Sequence, residues 1–579
     1  MKKKISLICL NPRAEIVVPD KIMGLAVPRV ADLRGKRIGL VWCEKRGGEN
    51  YFDAIQELLE KRIPTAKILR MNWAAGIENK LLKEVDTFIY GVGDSGIGAW
   101  ESTARTIAIE KLGKPGVVIF GSHLVPNAKA SANSHGMPTV RMVTVPSSEY
   151  YPNRVSVERL RPVAEKTIEA IIDALTRPLT PDEINPGVKL REKLSRLLNI
   201  ADDSYEHAFE KFNQIYLGNH WGDGLPLVPP TEEAVKLMLT GTKRSPDEIV
   251  GTLAAPDGLA ATGIATVEKI AVNSVMAGAR PEYLPVIIAA VESLVDKKFS
   301  PHVFTSEGSF TLLIIVSGPI AKKIKMNSGI GLLGHGWRAN NTIGRAVRLC
   351  LINIGDLWPG EHDLALIGRP SPHTFYVMAE SEEMNPWQPS HVNSGFKPEE
   401  SCVTVATVMG YGGMGLRIYG GGTVLPWSED EVLQEIIQDV AKDRRIFQYD
   451  PRSGNRVHPQ THIMVLHPEF VSELHQKGFT SQSLRDYIIK KTSVPYEDLS
   501  KEEIHGIKNR IADKSEVFFG TDLIPTDRIP VFEKSLKPGG SVPVVLTPQD
   551  IHIVVAGGIT GYSFGFAYAR GALQTKPIR

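Results

Sequence analysis

The first third of the chain alternates short apolar runs, rich in β-branched residues, with amphipathic stretches of helical length. This alternation is typical of a parallel sheet covered by helices. It predicts five strands, at 37–42, 66–71, 87–91, 116–120 and 140–145. A helical segment follows each strand, and the last runs over 157–175. Five strands and five helices in this order predict a flavodoxin-like α/β domain.

The regular pattern stops at a cluster of prolines between 178 and 186. We therefore predict an amino-terminal domain over 1–178, a helical connector over 179–217 and a larger mixed α/β region over 218–579. In that region the pattern predicts helices over 266–278, 281–295 and 342–352. It also predicts strands at 310–317 and near Leu364, Phe375 and Val403.

Composition and charge exclude several classes of protein. The chain has 67 basic and 65 acidic residues, a net charge of +2, so neither a nucleic-acid nor a membrane partner is predicted. Its four cysteines form no CxxC pair, which favours a reducing compartment. No apolar stretch reaches the roughly 20 residues of a membrane span. We expect a cytoplasmic protein, and its glycine-rich, tryptophan-containing surface favours a homo-oligomer.

The turn from Gly91 to Gly98 follows the third predicted strand and precedes a helix. Its glycines match the GxGxxG pattern of dinucleotide sites, but that pattern belongs after the first strand and no acidic residue ends the next strand. The Gly-Asp-Ser-Gly run of chymotrypsin-like proteases occurs in β-barrels, not between a parallel strand and a helix. A GxSxG nucleophile elbow would need glycine at Ile97.

The same turn carries a family resemblance. Residues 32–176 resemble the UGSC-like domain, a family named for a selenocysteine-Gly-Ser-Cys run that follows Gly-Asp at the end of a strand. The matching landmarks are DLRGKRIG at 32–39, GVGDSG at 91–96 and EKLGKP at 110–115. The remainder resembles the long region often fused to such domains, through DGLPLVPP at 223–230 and GWRAN at 336–340.

The sequence departs from the residues that give this family its name. Ser95 stands where selenocysteine or cysteine is expected, and Gly98 replaces the second cysteine. A redox pair of selenol and thiol, or of two thiols, is therefore excluded at this turn, because a hydroxyl cannot carry electrons as a thiolate does.

What the turn keeps is the geometry of an anion site. We expect the backbone N–H groups of Gly96, Ile97 and Gly98 to open toward a ligand at the positive end of the helix. Gly93 would allow close approach, and Asp94 and Ser95 are the candidate catalytic side chains. A carboxylate, a phosphate or an oxyanion would suit this turn.

Strands of an open parallel sheet present their carboxyl ends to one crevice. The turn should therefore share a surface with residues that follow the other strands, namely Cys43, Glu44, Ser122, His123, Ser147 and Ser148. Cys43 precedes Lys45 and Arg46, which could lower the pKa of its thiol and make it a nucleophile; the alternative is a half-buried structural cysteine. His123 is either a general base or a hydrogen-bonded loop histidine, and Ser122 a substrate ligand.

A second candidate anion site lies in the larger region, where a glycine-rich loop leads into a helix. Arginine beside a helix start binds anions, and a histidine there can transfer protons. The candidates are His335 for catalysis and Trp337, Arg338, Asn340, Asn341, Thr342 and Arg345 for substrate binding. The alternative is that Asn and Thr cap the helix and the glycines form tight turns.

Other polar clusters carry weaker signals. The segment from Glu380 to His391 contains Glu382 and Glu383 and is either an acid/base or metal site or a solvated loop. The segment 361–363 and the pair His458 and His462 are weak metal candidates, because Pro459 prevents a helix that would bring the pair together. No metal and no organic cofactor is predicted.

These features favour an enzyme that acts on a small anionic substrate at the crevice between the two regions. The turn 93–98 would form one wall and the segment 334–345 the other. We expect polar chemistry without a cofactor, namely elimination, addition or hydrolysis by a lyase or hydrolase. One alternative is thiol or group-transfer chemistry through Cys43, and another is a non-catalytic subunit that binds a ligand or assembles with a partner.

Overall fold

The structure is a computed structural model of the 579-residue chain. The residues that it describes are 5–17, 23–43, 47–72, 77–146, 156–187, 195–253, 262–296, 299, 308–365, 367–368, 371–414, 418–419, 423–424, 428–447, 449–450, 455–456, 460–512, 524–558, 564–570 and 573–579.

The amino-terminal domain is built on the predicted five-stranded parallel sheet. Its strands, in spatial order, are Lys67–Asn72, Arg37–Trp42, Thr87–Gly93, Gly116–Gly121 and Met142–Val145. The first two strands in the chain are exchanged in space, which is the 2-1-3-4-5 order of a flavodoxin-like sheet. The fold class is therefore confirmed. The strand order reverses between Arg37–Trp42 and Thr87–Gly93, which is where α/β sheets bind ligands.

Helices cover both faces of this sheet because its three central strands are apolar on both sides. They are Gly48–Arg62, Ile77–Glu84, Gly96–Lys111, Val125–Ser134 and Val157–Thr176. On the third strand, Ile89 packs into one apolar cluster while its neighbours Phe88 and Tyr90 pack into the cluster on the opposite face. The continuous apolar run of this strand thus follows from burial on both sides.

The start of the chain lies in the sheets of the second region. Strand Ile5–Leu10 pairs antiparallel with Leu197–Asp202, and Ile16–Val17 pairs with Thr262–Thr266. The segment predicted as a helical connector therefore differs from the structure, since the strand Leu197–Asp202 precedes the helix Tyr205–Gly218. That strand depends on a partner far away in the sequence, which local periodicity does not reveal.

The second region is organised around a large mixed sheet. Its strands, in spatial order, are Tyr376–Ala379, Thr311–Ser317, Cys402–Met414, Phe564–Arg570, Gln460–Leu466 and Ile551–Val555, and Gln574–Pro577 also pairs with Cys402–Met414. The two edges of this sheet meet, because the Ser381 N–H donates to the Val555 carbonyl oxygen at 2.8 Å. Side chains from all six strands share one apolar cluster, including Leu313, Met378 and Ala567. The sheet is thus curled like a barrel around a narrow core.

Helices pack on the outside of the curled sheet in two groups with separate apolar clusters. The first group, after the short helix Pro181–Ile184, comprises Tyr205–Gly218, Glu232–Leu239, Val267–Met276, Leu284–Leu294, Pro319–Lys323, Arg338–Asn353 and Ser371–Thr374, and the short helix Ser390–Asn393 lies beside the edge strand Ile551–Val555. The second comprises Glu429–Ala441, Pro468–Gln476, Ser481–Thr492, Lys501–Ala512 and Ile529–Ser535. The remaining paired strands are Ile249–Leu253 with Thr262–Thr266, Ile418–Tyr419 with Thr423–Val424, Tyr449–Asp450 with Asn455–Arg456, and Val494–Pro495 with Ser541–Val542.

Most of the elements predicted in this region are present with small shifts at their ends. The strand predicted near Leu364 is wrong, since the chain there makes only an isolated bridge between Pro359 and Asp363. Among the described helices, none combines the length and apolar character that crossing a bilayer requires.

Candidate functional site

The turn after strand Thr87–Gly93 is held by Ser95, the residue that caps the helix Gly96–Lys111. Its backbone is extended, and its Oγ accepts the Gly98 N–H at 3.2 Å. The Ser95 carbonyl oxygen accepts the Ala99 N–H at 2.8 Å. A serine here therefore satisfies one of the amide donors at the helix start. This bond occupies one of the three N–H groups that the sequence predicts to face a ligand.

Two glycines of this turn are required by close packing. A Cβ at Gly93 would lie 2.9 Å from the backbone N and Cα of Ala99, and a Cβ at Gly91 would lie 2.6 Å from the Ile119 carbonyl oxygen. Both distances are shorter than real Cβ contacts, so a side chain at either position would displace the backbone. These glycines let the helix Gly96–Lys111 sit directly against the end of its strand. A ligand-binding role for Gly93, Gly96, Ile97 and Gly98 stays a prediction.

Cys43 lies against the turn, at the point where the strand order reverses. Its N–H donates to the Gly91 carbonyl oxygen at 2.8 Å, and its Sγ lies 3.1 Å from the Val92 carbonyl oxygen. The side chain is partly exposed, whereas Cys9, Cys350 and Cys402 are buried. The sheet thus brings a thiol and the Asp94–Ser95 turn together, as the strand geometry predicts. Glu44, Lys45 and Arg46 lie outside the described residues.

Ser122 and His123 follow the neighbouring strand at the same edge of the sheet. Gly93 pairs with Phe120, so the chain leaves both strands side by side. Ser122 and His123 form an exposed turn of 3₁₀ helix. Desolvation by neighbouring groups lowers the pKa of His123, which favours a neutral imidazole at pH 7. Ser147 and Ser148 lie outside the described residues.

The predicted anion site of the larger region has its arginines engaged within the chain. Arg345 makes a two-pronged ion pair with Asp223, at 2.7 and 2.9 Å, and also donates to the Pro226 carbonyl oxygen at 3.0 Å. Arg338 donates twice to the Gly278 carbonyl oxygen, at 3.1 and 2.9 Å. Both side chains therefore hold neighbouring loops to the helix Arg338–Asn353. An anion-binding role for either arginine stays a prediction.

The amide and hydroxyl groups of this segment also bond locally. Asn340 is buried and bonds to both the N–H and the carbonyl oxygen of Asn327. Asn341 donates to the Trp337 carbonyl oxygen and Thr342 to the Arg338 carbonyl oxygen. His335 and Trp337 lie on the surface. The glycine loop makes a tight turn, since the Gly334 N–H donates to the Gly331 carbonyl oxygen at 2.7 Å, but the helix start has no side-chain cap, so the capping role considered for Asn and Thr is not seen.

A different segment of the larger region reaches the amino-terminal helix that starts at the turn. The Glu361 carbonyl oxygen accepts a hydrogen bond from Asn127 Nδ2 at 2.9 Å, and the rings of His362 and Trp100 lie 5.5 Å apart. Leu364 packs against an apolar cluster that contains Ala99 and Leu124. Sequence reasoning considered Glu361 and His362 only as weak metal candidates and missed this contact.

The helix Arg338–Asn353 supports that segment through a buried charge. The guanidinium of Arg348 is buried and lies 3.7 Å from the Asp363 carboxylate, and burial lowers the pKa of Arg348. His220 stacks on Trp358 with ring centroids 4.1 Å apart. Arg348 and Trp358 thus hold the segment that contacts the amino-terminal domain, while the predicted segment 334–345 bonds within its own region.

The polar segment at 380–391 lies at one end of the curled sheet, where Ser381 and Val555 join its two edges. We call this end the mouth of the large sheet. Glu380 directly follows strand Tyr376–Ala379, and its carboxylate accepts hydrogen bonds from Ser317 Oγ at 3.0 Å and Ser390 Oγ at 2.7 Å. Burial raises the pKa of Glu380 to about 7. Glu382 accepts the Gly318 N–H, and His391 is fully buried with its Nδ1 3.7 Å from a Glu382 oxygen. The two ends of this segment are buried, whereas Glu383 and Met384 between them are exposed, so only its middle part is the solvated loop considered above.

Only one of the two histidines considered as metal ligands, His462, lies within the described residues. His458 lies outside the described residues. His462 is buried on strand Gln460–Leu466, with its Nε2 3.5 Å from an Asp443 oxygen. Burial lowers the pKa of His462 to about 3, so the ring is neutral.

Comparison with known proteins identifies the amino-terminal part of the chain. Residues 10–177 match the model of the UGSC family, which confirms the resemblance and spans the five-stranded sheet with its helices. No match was found among the curated proteins.

Proposed function

Taking residues 10–177 as a UGSC-family domain, we propose that the chain is an enzyme that acts on a small anionic substrate at the carboxyl edge of the amino-terminal sheet. The main observation behind this proposal is that Cys43 lies next to the Asp94–Ser95 turn, at the point where the strand order reverses. The Cys43 sulfur is 3.1 Å from the Val92 carbonyl oxygen. Ligands of open α/β sheets bind at such points.

The helix Gly96–Lys111 supports an anionic ligand. Its amino terminus carries partial positive charge equivalent to about half an elementary charge. Ser95 uses its hydroxyl oxygen to hold the Gly98 N–H, and the Ile97 N–H belongs to the same first turn. A carboxylate or phosphate oxygen within reach of these donors would be stabilised.

The residues at this edge support polar rather than redox chemistry. Ser95 and Gly98 occupy the positions of the family's redox pair, and neither carries a thiol. Asp94, Ser95 and the neutral His123 offer groups that accept or donate protons. We infer an elimination, addition or hydrolysis at a carbon that bears sulfur, nitrogen or a carboxylate, as a lyase or hydrolase would carry out.

The anion part of this proposal is tested by two variants that keep the helix cap. Both Asp and Asn cap helices well, so Ser95→Asp and Ser95→Asn should fold, but only Asp places a negative charge at the helix start. A thermal-shift screen of small carboxylates, phosphate and thiol acids should find a compound that stabilises the wild type and Ser95→Asn, with the shift lost in Ser95→Asp. Equal shifts in both variants would refute binding at this turn.

Cys43 supports a second candidate, a thiol-dependent group transfer. It is the one cysteine of the four that is not buried, so iodoacetamide should label it selectively in the folded protein. A compound bound at the turn should slow this labelling, and Cys43→Ser should abolish turnover if the thiol forms a covalent intermediate. Full turnover by Cys43→Ser would exclude the thiol-dependent mechanism and support the polar one. If the Cys43 and Ser95 variants keep both ligand binding and turnover, a non-catalytic role for this edge of the sheet is favoured.

A further inference from the structure

We propose that Glu380, Glu382 and His391 form a binding site for one divalent transition-metal ion at the mouth of the large sheet. One atom from each side chain lies within 4.8 Å of the other two. This site belongs to the second region and does not depend on the function proposed for the amino-terminal edge.

His391 gives the first reason. Its side chain is fully buried, and neither ring nitrogen has a hydrogen-bond partner among the described residues. A buried polar group without a partner costs roughly 1–3 kcal/mol, so native proteins rarely keep one without a use. A neutral imidazole has one lone pair, and a metal ion bound to it would remove that cost.

The charge around the histidine gives the second reason. Glu380 is buried, and the partly exposed Glu382 carboxylate belongs to the same cluster. Within the described part of the chain, no lysine or arginine pairs with either carboxylate, and the nearby Lys322 pairs with Glu383 instead. A buried carboxylate beside a second one, with no paired cation, is favourable only if a positive charge is added. A bound dication would supply that charge.

Part of the geometry already fits an ion. Ligand atoms at about 2.1 Å from one metal lie no more than about 4.2 Å from each other. The Nδ1 of His391 and the Glu382 oxygen, at 3.7 Å, already meet this limit. Ser317 and Ser390 hold the Glu380 carboxylate in place, as hydrogen-bonded neighbours commonly hold metal-binding carboxylates.

A simple ion pair between His391 and Glu382 explains these contacts less well. A charge-assisted N–H···O bond is normally about 2.7–2.9 Å long, and this separation is 3.7 Å. Such a pair would also leave the second ring nitrogen buried without a partner.

The donor set indicates the class of metal. One imidazole and two carboxylates suit Zn²⁺, Mn²⁺ or Fe²⁺ better than Mg²⁺ or Ca²⁺, which favour oxygen ligands alone. Three protein ligands leave at least one coordination position for water or a substrate oxygen. The structure thus assigns the mouth of the large sheet an open metal site rather than a closed structural one.

Calorimetric titration of chelator-treated full-length protein with Zn²⁺ and with Mn²⁺ tests the site. We expect one equivalent of ion to bind and to raise the melting temperature. His391→Gln and Glu382→Gln should each weaken binding by at least about tenfold. Glu383→Gln is the matched control, because Glu383 is the exposed neighbour that pairs with Lys322. His207→Gln is the second control, since it alters an exposed His–Asp cluster.

Circular dichroism and melting of the metal-free variants show whether they fold. Glu382 is partly exposed, so Glu382→Gln should keep the fold even if the buried His391 variant does not. Binding of neither ion by the wild type would overturn the site. The site would also be overturned if a folded Glu382→Gln bound the ion with wild-type affinity. The same holds if Glu383→Gln lost as much affinity for the ion as Glu382→Gln.

Discussion

Trp100 and His362 pack ring against ring, with centroids 5.5 Å apart, although they belong to different regions of the chain. Trp100 is fully buried and follows Ser95 by little more than one helical turn. The second region therefore covers the helix whose start forms the proposed anion site. The helix that begins at the turn is thus packed against a residue more than two hundred positions away in the sequence.

His362→Ala should loosen this contact. Loss of a buried aromatic contact costs roughly 1–3 kcal/mol, and the helix Gly96–Lys111 should lose protection from hydrogen exchange. Mass-spectrometric hydrogen exchange measures this directly. Glu361→Ala is the control, because Glu361 contributes its backbone carbonyl to Asn127 and its side chain is half exposed. Unchanged exchange in His362→Ala would contradict a supporting role for this segment.

The Ser95 hydroxyl should contribute to stability as a helix cap. Ser95→Ala removes the acceptor of the Gly98 N–H and should cost about 1 kcal/mol in the free energy of unfolding, measured by urea titration. Ser95→Asn should lie within a few tenths of a kcal/mol of the wild type. If Ser95→Asn remains stable but loses turnover, the hydroxyl has a chemical role as well. If Ser95→Ala is as stable as the wild type, the cap contributes little.

The sequence predicts what depends on local periodicity. The three central strands of the amino-terminal sheet are apolar on both faces, so their positions and the proximity of Cys43 to the turn follow from the pattern and the parallel topology. Leu197–Asp202 was missed because its partner strand lies at Ile5–Leu10. Leu364 packs against the amino-terminal domain. Its apolar side chain therefore suggests a strand in the sequence, although it serves a contact between the two regions.

The same limit applies to the candidate sites. Asp223 pairs with Arg345 across 122 positions, so the sequence shows an arginine near a helix start but not the carboxylate that occupies it. Glu380 and His391 lie close together in the sequence. Their burial depends on the curled sheet and on Ser317, which ends the neighbouring strand Thr311–Ser317. Both lie outside the local sequence of the two residues.

Arg345→Ala should destabilise the second region strongly. Asp223 is almost completely buried, and removal of its partner leaves a buried carboxylate without a cation, which costs about 3–5 kcal/mol. Arg338→Ala should cost less than about 1 kcal/mol, because Arg338 is exposed and bonds a carbonyl oxygen. Urea unfolding followed by circular dichroism compares the two. A stable Arg345→Ala that loses only ligand affinity would favour the anion-binding role predicted from the sequence.

Glu183 should make the stability of the amino-terminal domain depend on pH. Burial alone would raise the pKa of its carboxyl, but hydrogen bonds from Arg141, at 3.0 Å each, and from Thr180 outweigh burial and lower the pKa from 4.5 to about 2. A group with a lowered pKa in the folded state stabilises the fold above its unfolded pKa and loses that effect as pH falls. The contribution should be roughly 2–3 kcal/mol at pH 7 and should decline between about pH 5 and pH 2.

Glu183→Gln should therefore be less stable than the wild type at neutral pH, and the two should converge as the pH approaches 2. Urea titrations at several pH values measure both curves. Glu169→Gln is the matched control, since Glu169 is exposed beside Arg62 on the same domain and should change stability by less than about 0.5 kcal/mol at every pH. Because Arg141 precedes the last strand and Glu183 lies within the proline cluster, this pair fastens the end of the domain to its sheet. A stability difference that stays constant with pH would mean that Glu183 acts through packing instead of charge.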